Sequence, residues 1–242
     1  TSRSNEASAS NGKHLEMTDT LQTSTTFLEI VKSRRSMRDF RSDSVPDKVI
    51  EAVFGAAQGA PSNCNTQPWF VHVVTGETLD QLRTELPGKF AAGEIALDFP
   101  YDGKYEGVYK ERQYASAAAL YDALGIAREQ KAERNAWFMR NFRFFDAPAV
   151  AFFTLPTGFG LREACDLGMY AQTVMLGLTA HGLGSCPQTA LAFLANVIRP
   201  TLGLGDHEQL MFGMSFGYPT ETAVNEVRTD RAQLEDVVTF HR

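Results

Sequence analysis

The chain has 242 residues, 43% of them apolar and 11% aromatic, and a formal net charge of -6; that is enough length and apolar content to bury one sizeable core. An acidic chain does not read as a general nucleic-acid binder, which needs a broad basic face to release counterions. No apolar run approaches the roughly 20 residues of a bilayer span and the N-terminus lacks the apolar core of a signal peptide, so no membrane segment is predicted and the expected compartment is the cytoplasm.

Residues 1–24 are rich in Ser, Thr, Asn and Glu without apolar periodicity and are predicted to be a mobile tail, leaving 25–242 as one domain. "TFLEIVKSRRS" opens with Thr26 and Glu29 at capping-box spacing, and Phe27, Ile30, Val31 and Arg34 share a helical face. A second helix starts at Pro46 and Asp47 and carries Val49, Ile50, Val53, Phe54 and Ala57 at helical spacing until Gly59 and Pro61 stop it. The loop "APSNCNTQP" follows, then "WFVHVVT" (69–75), a β-branched and aromatic run bounded by Pro68 and Gly76 that predicts a strand. Residues 77–100 read as irregular and 101–145 as helical, together a candidate lid. "AVAFFTL" (149–155) and "LMFGMSFG" (210–217) predict two further strands, and 162–184 a buried helix ending at Gly182. Helices and short strands alternate without a regular βαβ repeat, which predicts an α+β fold.

The charge is unevenly placed. "KSRRSMRDFR" (32–41) concentrates Arg34, Arg35, Arg38 and Arg41 with Lys32 in an acidic chain. A phosphate monoester, with about two negative charges, suits guanidinium groups that grip with paired donors. The competing reading is a solvated basic helix end that favours the helix dipole. The "APSNCNTQPW" loop offers short-reach donors and acceptors suited to a flat polar heterocycle, or else ordinary turn chemistry. In "GLGSCPQTAL" the glycines permit close backbone approach to a planar ligand, or else only cap a helix. Cys64, Cys165 and Cys186 are far apart and form no C-x-x-C pair, and the five histidines show no ligand spacing, so neither a disulfide framework nor a metal site is predicted.

"RRSMRDF", "APSNCNTQPWFVHVV", "LGMYAQTVMLGLTAHGLGSC" and "MFGMSFGYP", in this order and followed by "VRTDRAQLEDVV", resemble the nitroreductase family of FMN-dependent reductases over about residues 27–238. The resemblance implies a central mixed β-sheet flanked by helices, in an intertwined homodimer with FMN at the interface. It further implies that Arg34, Arg35, Ser36 and Arg38 hold the FMN phosphate and ribityl chain, with Arg231, or failing it Arg228, completing the phosphate site. Pro61, Ser62, Asn63 and Asn65, with Gln67, come from the partner subunit to meet the flavin ring. Backbone N–H groups near Pro187, Gln188 and Thr189 face the flavin at N5. NADH or NADPH then delivers hydride to flavin N5, and an aromatic acceptor, a nitroarene above all, leaves with it in a ping-pong cycle. No side chain is expected to act as nucleophile or base, because the cofactor carries the redox chemistry.

The deiodinase branch of the family has a lysine where this chain has Asn141, which disfavours dehalogenation. Quinone reduction and non-catalytic flavin binding or cleavage compete with nitroarene reduction. The lid supplies Tyr109, Arg112, Trp137, Arg140 and Arg143, a combination suited to an aromatic acid such as a nitrobenzoate, or else to a solvated amphipathic helix.

Overall fold

The computed structural model describes residues 26–242, so the expected tail at 1–24 lies outside the described residues. The compact unit that carries the sheet runs from Arg34 to Arg242, and helix α1 (residues 26–33) belongs to a separate unit.

Within the larger unit the order is α2 (Asp47–Ala57), β1 (Phe70–Thr75), α3 (Gly76–Ala91), α4 (Gly107–Ala123), α5 (Lys131–Met139), β2 (Ala149–Pro156), α6 (Leu161–Ala180), β3 (Gly184–Gln188), α7 (Ala195–Leu202), β4 (Glu208–Gly217) and α8 (Ala223–Glu226). The strands form one sheet in the order β1-β2-β4-β3. All three pairings are antiparallel, and the parallel element of the expected mixed sheet is a single bridge between Ser36 and Ser185 at the β3 edge.

Seven of the eight β2 residues are buried, which is why this strand reads as a continuous apolar run rather than an alternating one. Ala149, Ala151, Phe153 and Leu155 pack with α2 and α6 on one face. Val150 and Phe152 pack with Leu79, Leu82 and Leu86 of α3 and with Leu191 and Ile198 on the other. The sheet is therefore the middle of three layers. On the first face α6 approaches α2 closely: a Cβ at Gly177 would lie 3.1 Å from Val53 Cγ1.

Two expectations are corrected by the structure. Residues 77–100 are not irregular, because α3 fills most of them with Leu79, Leu82 and Leu86 on one buried stripe. Pro87 and Gly88 lie within the helix, and the apolar stripe holds it through them to Ala91. The chain after Gly182 is likewise not a turn alone; it is edge strand β3, whose "GSCPQ" sequence has little strand character of its own. The helical reading of 101–145 agrees with the structure, since α4 and α5 occupy most of it, and α4 has no buried residue along its 17 positions.

Candidate cofactor site

The arginine segment leaves α1 and lies along the free edge of β3, where the Met37 N–H donates to the Ser185 carbonyl at 3.0 Å. This approach needs Gly184, since a Cβ there would sit 2.5 Å from Met37 Cγ. Met37, Phe40, Phe145, Ala147 and Cys186 form a small apolar cluster beneath the segment. Alternate residues of a strand point their backbone groups to the same edge, so Pro187 faces the edge that Ser185 uses and its missing N–H removes no sheet bond.

The predicted arginines sort by partner. Arg35 donates to the Asn225 carbonyl at 2.6 Å and to Glu226 Oε1 at 3.1 Å, which ties the segment to α8. Arg228 has contacts to Glu226, at 3.9 Å from its Oε2 and 3.1 Å from its backbone carbonyl. Arg34, Arg38 and Arg231 have no carboxylate partner among the described residues. Arg34 reaches Met175 Sδ at 4.0 Å, Arg38 reaches the Ser36 carbonyl at 3.4 Å, and Arg231 bonds Thr229 and the Asp230 carbonyl.

These three share a neighbourhood. Burial lowers the Arg34 pKa, and the positive charge of Arg231 lowers it further. Burial pushes the Cys186 thiol up to about 11, although Arg38, the Ser36 hydroxyl and Arg34 all act to stabilise the thiolate. Like charges gathered at a half-buried edge without carboxylates repel one another, and an anion relieves that repulsion. The Ser185 hydroxyl is buried with no hydrogen-bond partner among the described residues. Three unmatched guanidinium groups and an unsatisfied hydroxyl are the donor set a phosphate ester requires, so the residues present fit FMN.

Asn225, 1% exposed, is the residue that sequence reasoning missed. Its Oδ1 accepts the Arg38 N–H at 2.8 Å, and its Nδ2 donates to the carbonyls of Asp39 at 2.7 Å and Thr220 at 2.9 Å. The sequence signal for it is slight, an amide two positions before "VRTDR" in a segment with no periodicity.

The 61–67 loop is held from below and presents its side chains outward. Asp166 Oδ2 accepts the Asn63 N–H at 3.1 Å, and Ser62 Oγ accepts the Gln67 N–H at 2.9 Å. Cys64, Asn65 and Gln67 adopt positive φ values of 51°, 57° and 48°, a strained backbone for three non-glycine residues so close together. Pro61, Asn63, Asn65 and Gln67 remain exposed.

Beyond Pro187 the Gln188 side chain turns inward, donating to the carbonyl of Asn141 at 3.0 Å and to its Oδ1 at 3.2 Å while accepting from the Ser215 hydroxyl. Pro187 and Thr189 are exposed on either side of it.

The lid residues do not converge. Arg140 lies over the Trp137 ring at 4.6 Å and bonds Asp39 at 2.7 Å and Asp146 at 2.8 Å. Two carboxylates thus already answer its charge, so it is a structural cation in this fold rather than an open anchor for a substrate acid. Arg143 is exposed, 3.7 Å from Asp146. Arg112 stands over exposed Tyr109 and borders a cavity with Arg228 and Arg231 instead of joining Arg143.

The sequence profile of the nitroreductase family matches residues 31–218. The chain belongs to the nitroreductase family. Nitroreductase NfnB of Mycolicibacterium smegmatis is 45% identical over 215 residues, covering 88% of this chain and 92% of its own. A 4-nitrobenzoate reductase of Pseudomonas putida is 34% identical, covering 88% and 95%. The crystal structure of the FMN-dependent NfnB from Mycobacterium smegmatis in complex with NADPH superposes with a TM-score of 0.87 at 43% identity, covering 90% of this nitroreductase and 99% of that chain.

Proposed function

We propose that this nitroreductase is an FMN-dependent enzyme that takes electrons from NADH or NADPH and passes them to an aromatic nitro compound, working as a homodimer. One observation carries the reading: Arg34 lies near Arg231, and Arg34 and Arg38 lie near Cys186, without carboxylate partners among the described residues, along the edge where Ser36 bridges Ser185, an arrangement that supports one phosphate. Chemical support from outside the chain is the FMN and NADPH named for the solved relative at 43% identity.

In this reading Arg34, Arg38 and Arg231, with the Ser36 hydroxyl, grip the FMN phosphate, and Arg35 fixes the segment through Glu226. Pro61, Ser62, Asn63, Asn65 and Gln67 meet the ring system of the partner's flavin, which accounts for a strained loop held from below with its side chains exposed. The edge at Pro187, Gln188 and Thr189 faces the ring from the other side. When bound, FMN supplies hydride acceptance and donation, which no protein side chain provides. The chain's own residues therefore bind, orient and exclude water.

Exposed apolar side chains support the dimer. Val108, Tyr109 and Tyr114 of α4, Phe70 and Val73 of β1, and Val237, Val238 and Phe240 near the C-terminus are all exposed. These are side chains that the dimer reading would cover. The 101–145 lid would then close over the donor and acceptor in turn, with Trp137, Tyr109 and Arg143 as its contacts. A nitrobenzoate is the favoured acceptor because a reductase of that acid is 34% identical.

The test is direct. Purified protein reconstituted with FMN should retain a stoichiometric yellow chromophore, release FMN on denaturation, and oxidise NADH or NADPH when 4-nitrobenzoate is added. Tight flavin binding without nitroarene-dependent oxidation would leave a flavin-binding protein. No flavin retention at all would remove the phosphate site.

A further inference from the structure

Gln188 and Ser215 are polar side chains in the interior of the sheet, 3% and 0% exposed. A buried amide costs stability unless its donors and its acceptor are all answered. Here they are. Gln188 Nε2 carries two hydrogens and donates to the Asn141 carbonyl at 3.0 Å and to Asn141 Oδ1 at 3.2 Å, while its Oε1 accepts from the Ser215 hydroxyl. The direction of each bond is forced. A backbone carbonyl only accepts, so the Gln188 nitrogen must face Asn141 and its oxygen Ser215. Asn141 Nδ2 must likewise face the Phe138 carbonyl, to which it donates at 2.8 Å, and this leaves Oδ1 for Gln188.

This chain of bonds joins two places. Ser185 turns its carbonyl to the outer edge of β3, so by strand alternation Gln188 turns its backbone to β4, where it pairs with Gly213. The next N–H, that of Thr189, then points outward with Ser185, and no acceptor among the described residues takes it. At the other end Asn141 stands at the foot of the lid, between Arg140 and Arg143. Just beyond it Phe144, Phe145 and Asp146 follow one another at φ values of 59°, 53° and 64°, a left-handed path that non-glycine residues keep only when their surroundings impose it. An apolar side chain of similar size would fill the place of Gln188 without burying an amide. It would lack direction, whereas a fully satisfied polar network admits one arrangement.

We propose that Gln188 is a positioning residue for the flavin reaction: its side chain, clamped between Ser215 and Asn141, fixes the Thr189 N–H toward the ring edge of FMN and ties that edge to the foot of the lid. The proposal rests on the proposed function, in which FMN lies along residues 187–189. The Gln188 side chain points away from that edge and acts through the backbone that follows it. Such an indirect role is large enough to measure, because a displacement of about 1 Å at a reacting centre can cost on the order of 100-fold in rate.

The experiment uses FMN-loaded enzyme and two variants. Gln188→Leu removes all three side-chain bonds at similar volume, and Ser215→Ala removes one and leaves the amide in place. FMN affinity should stay within about threefold of wild type in both, since the phosphate arginines are untouched. The reduction potential of the bound flavin, read by equilibration with a reference dye, should move in Gln188→Leu. The expected change is about tenfold in the oxidised-to-reduced ratio at a fixed solution potential, about 30 mV for a two-electron couple, and less in Ser215→Ala. With 4-nitrobenzoate as acceptor, kcat should fall about tenfold in Gln188→Leu while KM stays within about twofold, the pattern of an interaction made at the reacting centre. A lower melting temperature with unchanged potential and kcat would overturn the proposal and leave the network as packing. So would loss of FMN in parallel with kcat, which would make Gln188 a determinant of binding. If Gln188→Leu does not fold, Ser215→Ala decides, and an unchanged potential in it overturns the proposal. A wild type that holds FMN yet reduces no nitroarene would refute the proposed function, and the potential of the two variants would still judge Gln188.

Discussion

Asn225 holds the backbone of Arg38: its Oδ1 accepts the Arg38 N–H at 2.8 Å while its Nδ2 donates to the Asp39 carbonyl at 2.7 Å. One buried amide thereby sets the path of the whole arginine segment, because both of its ends grip main-chain groups. Replacement by Ala leaves the Arg38 N–H without its acceptor, which typically costs about 1–3 kcal/mol, while the Asp39 carbonyl keeps the Thr220 N–H at 3.2 Å. Asn225→Ala should lower the melting temperature and weaken FMN affinity together. Asn225→Asp keeps the acceptor for Arg38 and loses the donor for Asp39, so it should fall between. Thermal unfolding with and without FMN checks both, and an Ala variant with wild-type FMN affinity would remove Asn225 from the site.

The sorting of arginines by partner yields a paired prediction. Arg34 has no carboxylate among the described residues and Arg35 has Glu226. Arg34→Ala should weaken FMN binding by about 10- to 100-fold, the loss of one charge-assisted contact of roughly 1.5–3 kcal/mol. It should also leave the apoprotein as stable as wild type or slightly more so, since repulsion from Arg231 is relieved. Arg35→Ala should reverse that pattern, with apoprotein stability reduced and FMN affinity changed less. Fluorescence titration of released FMN against apoprotein, beside melting curves, separates the two.

Cys186 sits among cations, yet it is buried and its pKa is pushed up to about 11. Desolvation outweighs Arg38 and Arg34. A thiol with that pKa is almost wholly protonated at neutral pH and does not react as a nucleophile. Titration of the native enzyme with a chromogenic disulfide at pH 8 should therefore find the exposed Cys64 and Cys165 and leave Cys186 unmodified until the protein unfolds. Rapid native modification of Cys186 would show that the β3 edge opens.

At the far end of the sheet Glu208, 7% exposed, accepts from Thr154 Oγ1 at 2.8 Å and lies 2.7 Å from His72 Nε2. Burial alone would push its carboxyl up, but the hydrogen bonds of His72 and Thr154 and the charge of His72 outweigh it, and the net pKa is below the usual carboxylate value. A carboxyl depressed in the folded state stabilises the fold above its unfolded pKa, about 4.3, and that contribution is lost as pH falls through the folded value. Melting temperature should decline below about pH 4.5, and Glu208→Gln should be less stable at pH 7 with a flatter acid limb. Parallel pH profiles for wild type and variant would place the acid sensitivity elsewhere.

Some of this was legible in the sequence and some was not, for identifiable reasons. β1, β2, β4, α2 and α6 follow from period and from their bounding Gly and Pro residues, because each buries enough surface to impose its pattern. β3 escaped because "GSCPQ" is an edge strand held by backbone contacts to Met37 and to β4, not by its side chains. α3 escaped because its apolar face is a narrow one, Leu79, Leu82 and Leu86, in a segment otherwise polar and broken by Pro87. Residue types at the site were readable, since arginine, serine and asparagine announce their chemistry. Their partners were not: nothing in the sequence distinguishes Arg34 from Arg35, adjacent in the chain and opposite in role, or places Asn225 beside the segment that carries both.

That same limit governs the lid. Sequence put Arg140 and Arg143 on equal footing as anchors for a substrate carboxylate, but Arg140 is bound by Asp39 and Asp146 and stacked on Trp137, whereas Arg143 is half exposed with a single 3.7 Å contact. The Asp39 carboxyl is correspondingly held low: burial opposes ionisation, but the hydrogen bonds from Thr220 and Arg140 and the Arg140 charge outweigh it. Removing Arg140 strips Asp39 of its cation within one residue of Arg38, so Arg140→Ala should lower stability and FMN retention. It should leave the ratio of kcat/KM between 4-nitrobenzoate and nitrobenzene within about twofold of wild type, because uniform binding of the substrate acid is not lost. Arg143→Ala should do the reverse, preserving the fold and reducing that ratio through KM for 4-nitrobenzoate. Steady-state kinetics on the two acceptors decides it: a ratio eroded by Arg140→Ala in a stably folded, FMN-loaded variant would mean that Arg140 leaves its carboxylates to meet the substrate.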